Sequence, residues 1–268
     1  MTQQQASSVF RRLELVWSPY FHYGLFNGPH DLERAQEIAL DTFAGLGAIG
    51  RETRVLDAGC GIASSAIYLS SKVGCRVLGI DPARAQIEYG RERIAGHGLD
   101  GLVTLAAGRV ERIPARSESF DVVLMNEVLC LLREKDEALQ EVRRVLRPGG
   151  RLVLSDLYDS KGGTGTAFFH RTMSHATPMF NLPQLIGAIE RAGFSISTTL
   201  DRKPDIARSY EAALARLSRR SSEILDAIGP GELEIAAGFY SHCTSEPIRQ
   251  AIGWAVLSAT KVDRATHA

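Results

Sequence analysis

From residue 54 onward, short apolar runs alternate with segments of helical periodicity, and this alternation constrains the fold more than any other feature. A strand, a helix and a second strand in succession make a crossover, and such crossovers are right-handed and join parallel strands. The spacing predicts strands at 54–56, 76–80, 103–106, 120–125 and 151–154. Helices are expected at 62–71, 82–95 and 136–146, the second tolerating Pro82 in its first turn and the third stopped by Pro148-Gly149-Gly150. Residues 120–125 read Phe-Asp-Val-Val-Leu-Met, a near-continuous apolar run that suits a strand covered on both faces. The expectation is an α/β, doubly wound, Rossmann-like sheet.

Two stretches fall outside this rhythm. Residues 1–50 form a helical lead-in, with a helix at 10–16 broken by Trp17-Ser18-Pro19 and a second one capped by Asp31. Between them lies Tyr20-Phe21-His22-Tyr23-Gly24-Leu25-Phe26, too aromatic to be left in water. The reading is a lid over residues 51–268, its residues 1–28 dispensable for folding, whose Tyr20, His22, Tyr23 and Phe26 close over a cleft with Phe168, Phe169 and His170. Cap segments are expected at about 159–181 and 203–246. A strand at 196–200, one or two helices within 206–228, a helix at 232–243 and a last strand at 253–260 complete the chain.

Charge narrows the partners. Lys and Arg number 31 against 31 Asp and Glu, so the chain lacks the basic excess of a dedicated nucleic-acid binder. No apolar run approaches the ~18 residues of a membrane span, and residues 1–8 lack the order of a secretory signal. Cys60, Cys75, Cys130 and Cys243 have no metal-ligand spacing. They are expected as free thiols in a reducing cytoplasm, with no metal site. Monomer and homodimer both stay open.

Chemistry is concentrated at Val55-Leu56-Asp57-Ala58-Gly59-Cys60-Gly61. A strand ends in a carboxylate, and two glycines then turn the chain into a helix while letting backbone approach a ligand. A nicotinamide dinucleotide loop would want glycine at position 64, where Ser64 stands, and would not want Asp57 facing its pyrophosphate. An acid there suits a ligand with a cationic centre. About twenty residues on, Asp81 ends the second strand before Pro82, within reach of ribose hydroxyls or as a plain helix cap.

Together with Phe120-Asp121-Val122-Val123-Leu124-Met125-Asn126 and Leu146-Arg147-Pro148-Gly149-Gly150, these motifs resemble class I S-adenosylmethionine-dependent methyltransferases in order and spacing. His22-Tyr23-Gly24-Leu25-Phe26 resembles the aromatic segment of the small-molecule group: the ubiquinone, menaquinone, tocopherol and natural-product enzymes. The resemblance implies a seven-stranded mixed sheet whose last strand is antiparallel, S-adenosyl-L-methionine as cofactor, and a small-molecule acceptor. It implies cofactor contacts from Tyr23, Asp57, Gly59, Cys60, Gly61, Asp81, Pro82, Val110 and Asn126. Position 109 departs from the family, which has Asp where this chain has Arg109. Arginine only donates and cannot accept from the adenine amine. Adenine is then held by backbone at Val110, or Arg109 turns outward, or the match slips locally.

Methyl transfer needs a general base only where the nucleophile carries a proton. The candidates are Tyr20, His22, Glu127 and His170, with His175 a further histidine in the cap. A cofactor-binding protein without catalysis and a nicotinamide oxidoreductase are the rival readings. The second also lacks a Tyr-x-x-x-Lys pair.

Overall fold

The structure is a computed structural model that describes residues 3–28, 31–165, 167 and 177–262. Seven strands form one sheet: β1 (Arg54–Ala58), β2 (Arg76–Asp81), β3 (Val103–Ala107), β4 (Phe120–Asn126), β5 (Leu146–Asp159), β6 (Phe194–Asp201) and β7 (Ile252–Lys261). Their order is β3-β2-β1-β4-β5-β7-β6, parallel except for β7, which runs antiparallel to both β5 and β6. Between and around them lie α1 (Gln3–Val16), α2 (Leu32–Gly47), α3 (Ser64–Val73), α4 (Arg84–Gly96), α5 (Lys135–Val145) and α6 (Leu182–Arg191). Four more helices follow β6: α7 (Lys203–Arg219), α8 (Ser221–Ile228), α9 (Pro230–Cys243) and α10 (Glu246–Ala251).

Alternation of side chains along the central strands splits the core in two. On β4, Val122 and Leu124 join one apolar cluster with α2, α3 and α7, while Val123 and Met125 join another with α5 and α6. All four are buried, which is why the run shows no polar alternation. The strand-order reversal between β1 and β4 opens a crevice at the carboxyl ends of the strands, where open α/β sheets bind ligands.

Several boundaries differ from the sequence reading, and at two of them the local reason is plain. Helix α3 starts at Ser64 instead of 62 because Gly61 and Ala63 are left-handed, with φ of 52° and 65°. Strand β5 begins at Leu146 and carries Pro148-Gly149-Gly150 inside it; its pairing skips from Phe120–Leu146 to Val122–Arg151, a bulge that absorbs a residue without an N–H. The segment 206–228 resolves into α7 and α8, broken at Arg220.

The lead-in is packed as core. Val16, Tyr23, Leu25 and Phe26 are buried, and the first three share a cluster with β1, β4 and β7. The Tyr23 ring lies edge-on to Trp17, Tyr210 and Trp254, and its hydroxyl is 2.8 Å from that of Tyr210. Side chains from elsewhere meet its backbone. Gln36 Nε2 donates to the carbonyls of Tyr20 and His22, Ser209 Oγ accepts from Gly24, and Asp205 accepts from Phe26. Position 24 must be glycine, because a Cβ there would lie 2.6 Å from that of Ala35 on α2. Among the described residues, the lead-in and the sheet therefore share one core across residue 50.

Candidate active site

A cleft of about 720 Å³ opens at the reversal of strand order. Its floor is the turn after β1. Gly59 and Cys60 both donate backbone N–H groups to the Ile80 carbonyl, at 2.8 and 3.0 Å, and Gly61 donates to Asp81 Oδ2 at 3.1 Å. Gly59 sits at φ 85°, and a Cβ on it would approach Val128 Cγ2 to 2.4 Å, so only glycine lets the loop after β4 close against this turn.

Asp57 ends β1 inside the cleft wall, 2% exposed. The Ala66 N–H donates to it, but its Oδ2 has no partner. Burial, and after it the charge of Asp81, push the Asp57 carboxyl up to about 7. Unfolded Asp57 ionises near pH 4 while the native group stays protonated, so this residue lowers stability as pH rises from about 4 to about 7. Asp57→Asn is therefore expected to raise stability at pH 8 by more than about 1 kcal/mol without ligand. Melting curves at pH 5 and pH 8 check it; a variant less stable at pH 8 contradicts the assignment.

Asp81 accepts from Gly61 and, at 2.8 Å, from Ala83, so it braces the glycine turn and the entry to α4 together. Burial holds its carboxyl above the usual range. Pro82 and the buried Val110 line the same side. The Arg109 side chain is turned outward, 67% exposed and paired with Glu111 at 2.8 Å, the second of the three alternatives that the sequence left open.

At the end of β4, Asn126 Oδ1 accepts from Ser155 Oγ at 2.5 Å and Glu127 stands at φ 60°. The backbone of Tyr23 ties this edge to the lead-in: its N–H donates to Glu127 Oε1 at 2.8 Å, and its carbonyl lies 2.8 Å from His22 Nδ1. A carbonyl only accepts, so Nδ1 carries the proton of a neutral ring. His22 Nε2 is then an enclosed lone pair without a partner, and burial lowers the ring to about 4. Glu127 is pushed the other way, up to about 8, chiefly by burial with Asp156 adding to it. Its Oε2 has no hydrogen-bond partner among the described residues, and the residue lines the cleft.

The cleft thus gathers His22, Tyr23, Asp57, Gly59, Cys60, Gly61, Asp81, Pro82, Arg109, Val110, Asn126 and Glu127 from the sequence reading. Tyr20 is not among its lining residues; its ring packs against Tyr68 at 5.9 Å. The Tyr23 and Phe26 rings are buried, so of the four lead-in aromatics expected over the cleft only His22 and Tyr23 line it, joined by Phe21. His170, with Phe168, Phe169 and His175, lies outside the described residues. Sequence reasoning missed Phe21, Leu131, Leu157 and Thr177. The run Leu129-Cys130-Leu131-Leu132, too apolar for an ordinary loop at a strand end, was the available signal.

An orphaned buried carboxylate oxygen, a turn that admits no Cβ and an acid-lined edge fit a ligand carrying an ammonium and a sulfonium. The family described as methyltransferase domain matches residues 56–154. The methyltransferase GfsG of Streptomyces halstedii is 28% identical over 203 residues, 70% of each chain. The 27-O-demethylrifamycin SV methyltransferase of Amycolatopsis mediterranei is 26% identical over 256 residues, covering 94% of this chain and 93% of its own. The structure of Haemonchus contortus phosphoethanolamine N-methyltransferase 2 in complex with S-adenosyl-L-methionine superposes with a TM-score of 0.82 at 19% identity, over 98% of this chain and 58% of that one. The chain has the fold of class I S-adenosylmethionine-dependent methyltransferases, and its residues 56–154 match the methyltransferase domain family. It is related to the enzymes of that class that act on small molecules.

Proposed function

We propose that the protein transfers a methyl group to a small, largely apolar acceptor through a hydroxyl, with Glu127 taking the proton. The observation that carries this reading is Glu127 itself, with a free oxygen in a cleft whose walls include Phe21, Leu131, Leu132 and Leu157. Phe21 and Leu131 are large apolar side chains, 36% and 42% exposed, at the cleft. The volume lies in the range of small-molecule sites. S-adenosylmethionine supplies a methyl already activated by its sulfonium. The chain's part is to hold, align and dry the reactants. Gly59, Cys60 and Gly61 cradle the methionine portion, Asp57 meets its ammonium, and Asp81 accepts from the ribose. Tyr23 and Asn126 border the reacting end, and Val110 with the aliphatic stem of Arg109 and Pro82 borders the adenine. His22 orients the Tyr23 peptide. Four buried thiols, none in a disulfide, support a cytoplasmic setting.

The acceptor reading is tested with methyl-labelled cofactor and a panel of ring-bearing alcohols and phenols, 1-naphthol among them, against glycine and phosphoethanolamine. Label is expected in ethers of the apolar hydroxyl compounds. Label in the charged amines alone overturns the hydroxyl reading while leaving the enzyme class untouched.

A further inference from the structure

The glycine turn is held from behind by Arg93 of α4, whose side chain is only 12% exposed. Its Nη1 donates to the Ile62 carbonyl and to Ser64 Oγ, both at 2.8 Å. These two acceptors flank Ala63, the non-glycine residue held left-handed at φ 65°. A left-handed alanine costs about 1 kcal/mol or more, so the turn persists only where its neighbours are fixed. Nη2 donates to the Pro19 carbonyl at 3.2 Å, and that oxygen also accepts from Ser64 Oγ at 2.7 Å. Nε lies 3.0 Å from Glu14 Oε1 on α1, an ion pair without hydrogen-bond alignment. Tyr89 donates to the other Glu14 oxygen at 2.7 Å.

One planar guanidinium therefore ties α4 to three other places in the chain: α1, the Pro19 carbonyl after it, and the turn that opens α3. A buried guanidinium is tolerated where its charge is paired, here by Glu14, and its Nη donors are met, and no other side chain offers this fork. Ser64, which replaces the glycine of a dinucleotide loop, is an acceptor that the fork uses.

We infer that Arg93 is a positioning residue for the cofactor turn, and that α1 tunes cofactor affinity through its Glu14–Arg93 pair. The inference rests on the turn at Gly59–Gly61 being the cofactor cradle. Arg93 does not itself line the cleft; it acts through two residues that do, Ile62 and Ser64, by fixing the backbone on which Gly61 depends.

The test is calorimetric titration with S-adenosylmethionine, run beside thermal melting, on Arg93→Met, Arg93→Lys, Glu14→Ala and the double variant Glu14→Ala/Arg93→Met. Arg93→Met is expected to weaken binding about tenfold, Arg93→Lys to restore little of it, and Glu14→Ala to weaken it about threefold. The double variant should bind no more weakly than Arg93→Met alone, because both changes break one path. If Arg93→Met does not fold, Glu14→Ala carries the test, since it leaves the other Arg93 bonds in place. Lowered melting points with dissociation constants within twofold of wild type overturn the inference, as do two effects that simply multiply. A wild-type chain that does not bind S-adenosylmethionine overturns the cofactor reading itself, and this inference with it.

Discussion

A chain that starts after residue 28 is expected not to fold, rather than to fold and lose turnover. Truncation removes Val16, Tyr23, Leu25 and Phe26 from the core, at roughly 1.5–3 kcal/mol for each large apolar side chain. Their sum, on the order of 10 kcal/mol before allowing for a compact unfolded state, is comparable to the 5–15 kcal/mol of a whole domain. It also strands buried partners. Gln36 loses the Tyr20 and His22 carbonyls and Ser18, and Asp205 loses the Phe26 N–H. Each unsatisfied group costs about 1–3 kcal/mol more. Far-UV circular dichroism with heating decides the matter. A truncated chain that melts cooperatively within a few degrees of the full one would show that the segment is a detachable lid, as its sequence alone suggests.

The second large effect is expected at Glu127. If its free oxygen takes the acceptor's proton, Glu127→Gln should lower turnover by about 10²- to 10⁴-fold. Cofactor binding should change by no more than a few-fold, because glutamine keeps an oxygen for the Tyr23 N–H. The carboxyl is raised to about 8, and the base is its ionised form. Wild-type turnover should therefore climb with pH below that value and level off above it, while the variant shows no such limb. Steady-state rates from pH 6 to 9 at saturating cofactor provide the check. A variant that retains half of wild-type turnover excludes the proton-transfer role.

The two predictions differ in how much of them can be read from the chain. The glycine turn, the acids ending β1 and β2 and the apolar β4 all express short-range rules. Glycine permits left-handed turns, and a covered strand needs no polar alternation. Position 109 was legible as a departure, and the structure adds where the side chain goes: out to Glu111. The aromatic lead-in was legible as ordered but not as to its partners. Trp17, Tyr23, Tyr210 and Trp254 are separated by up to most of the chain's length, and nothing in the spacing of rings says which others they meet.

Periodicity and turn chemistry, acting over a few residues at a time, determined the layered sheet, its crossovers and the crevice where its strand order reverses. Burial and hydrogen bonding between distant segments were decided only by the tertiary structure. It raised Glu127 by enclosing it, left Asp57 Oδ2 and His22 Nε2 without partners, and brought Arg93 behind a turn some thirty residues earlier in the chain. A carboxyl or a guanidinium has the same letters wherever it stands. What it does depends on how much water it has lost and which dipoles replaced that water, and both are properties of the folded packing.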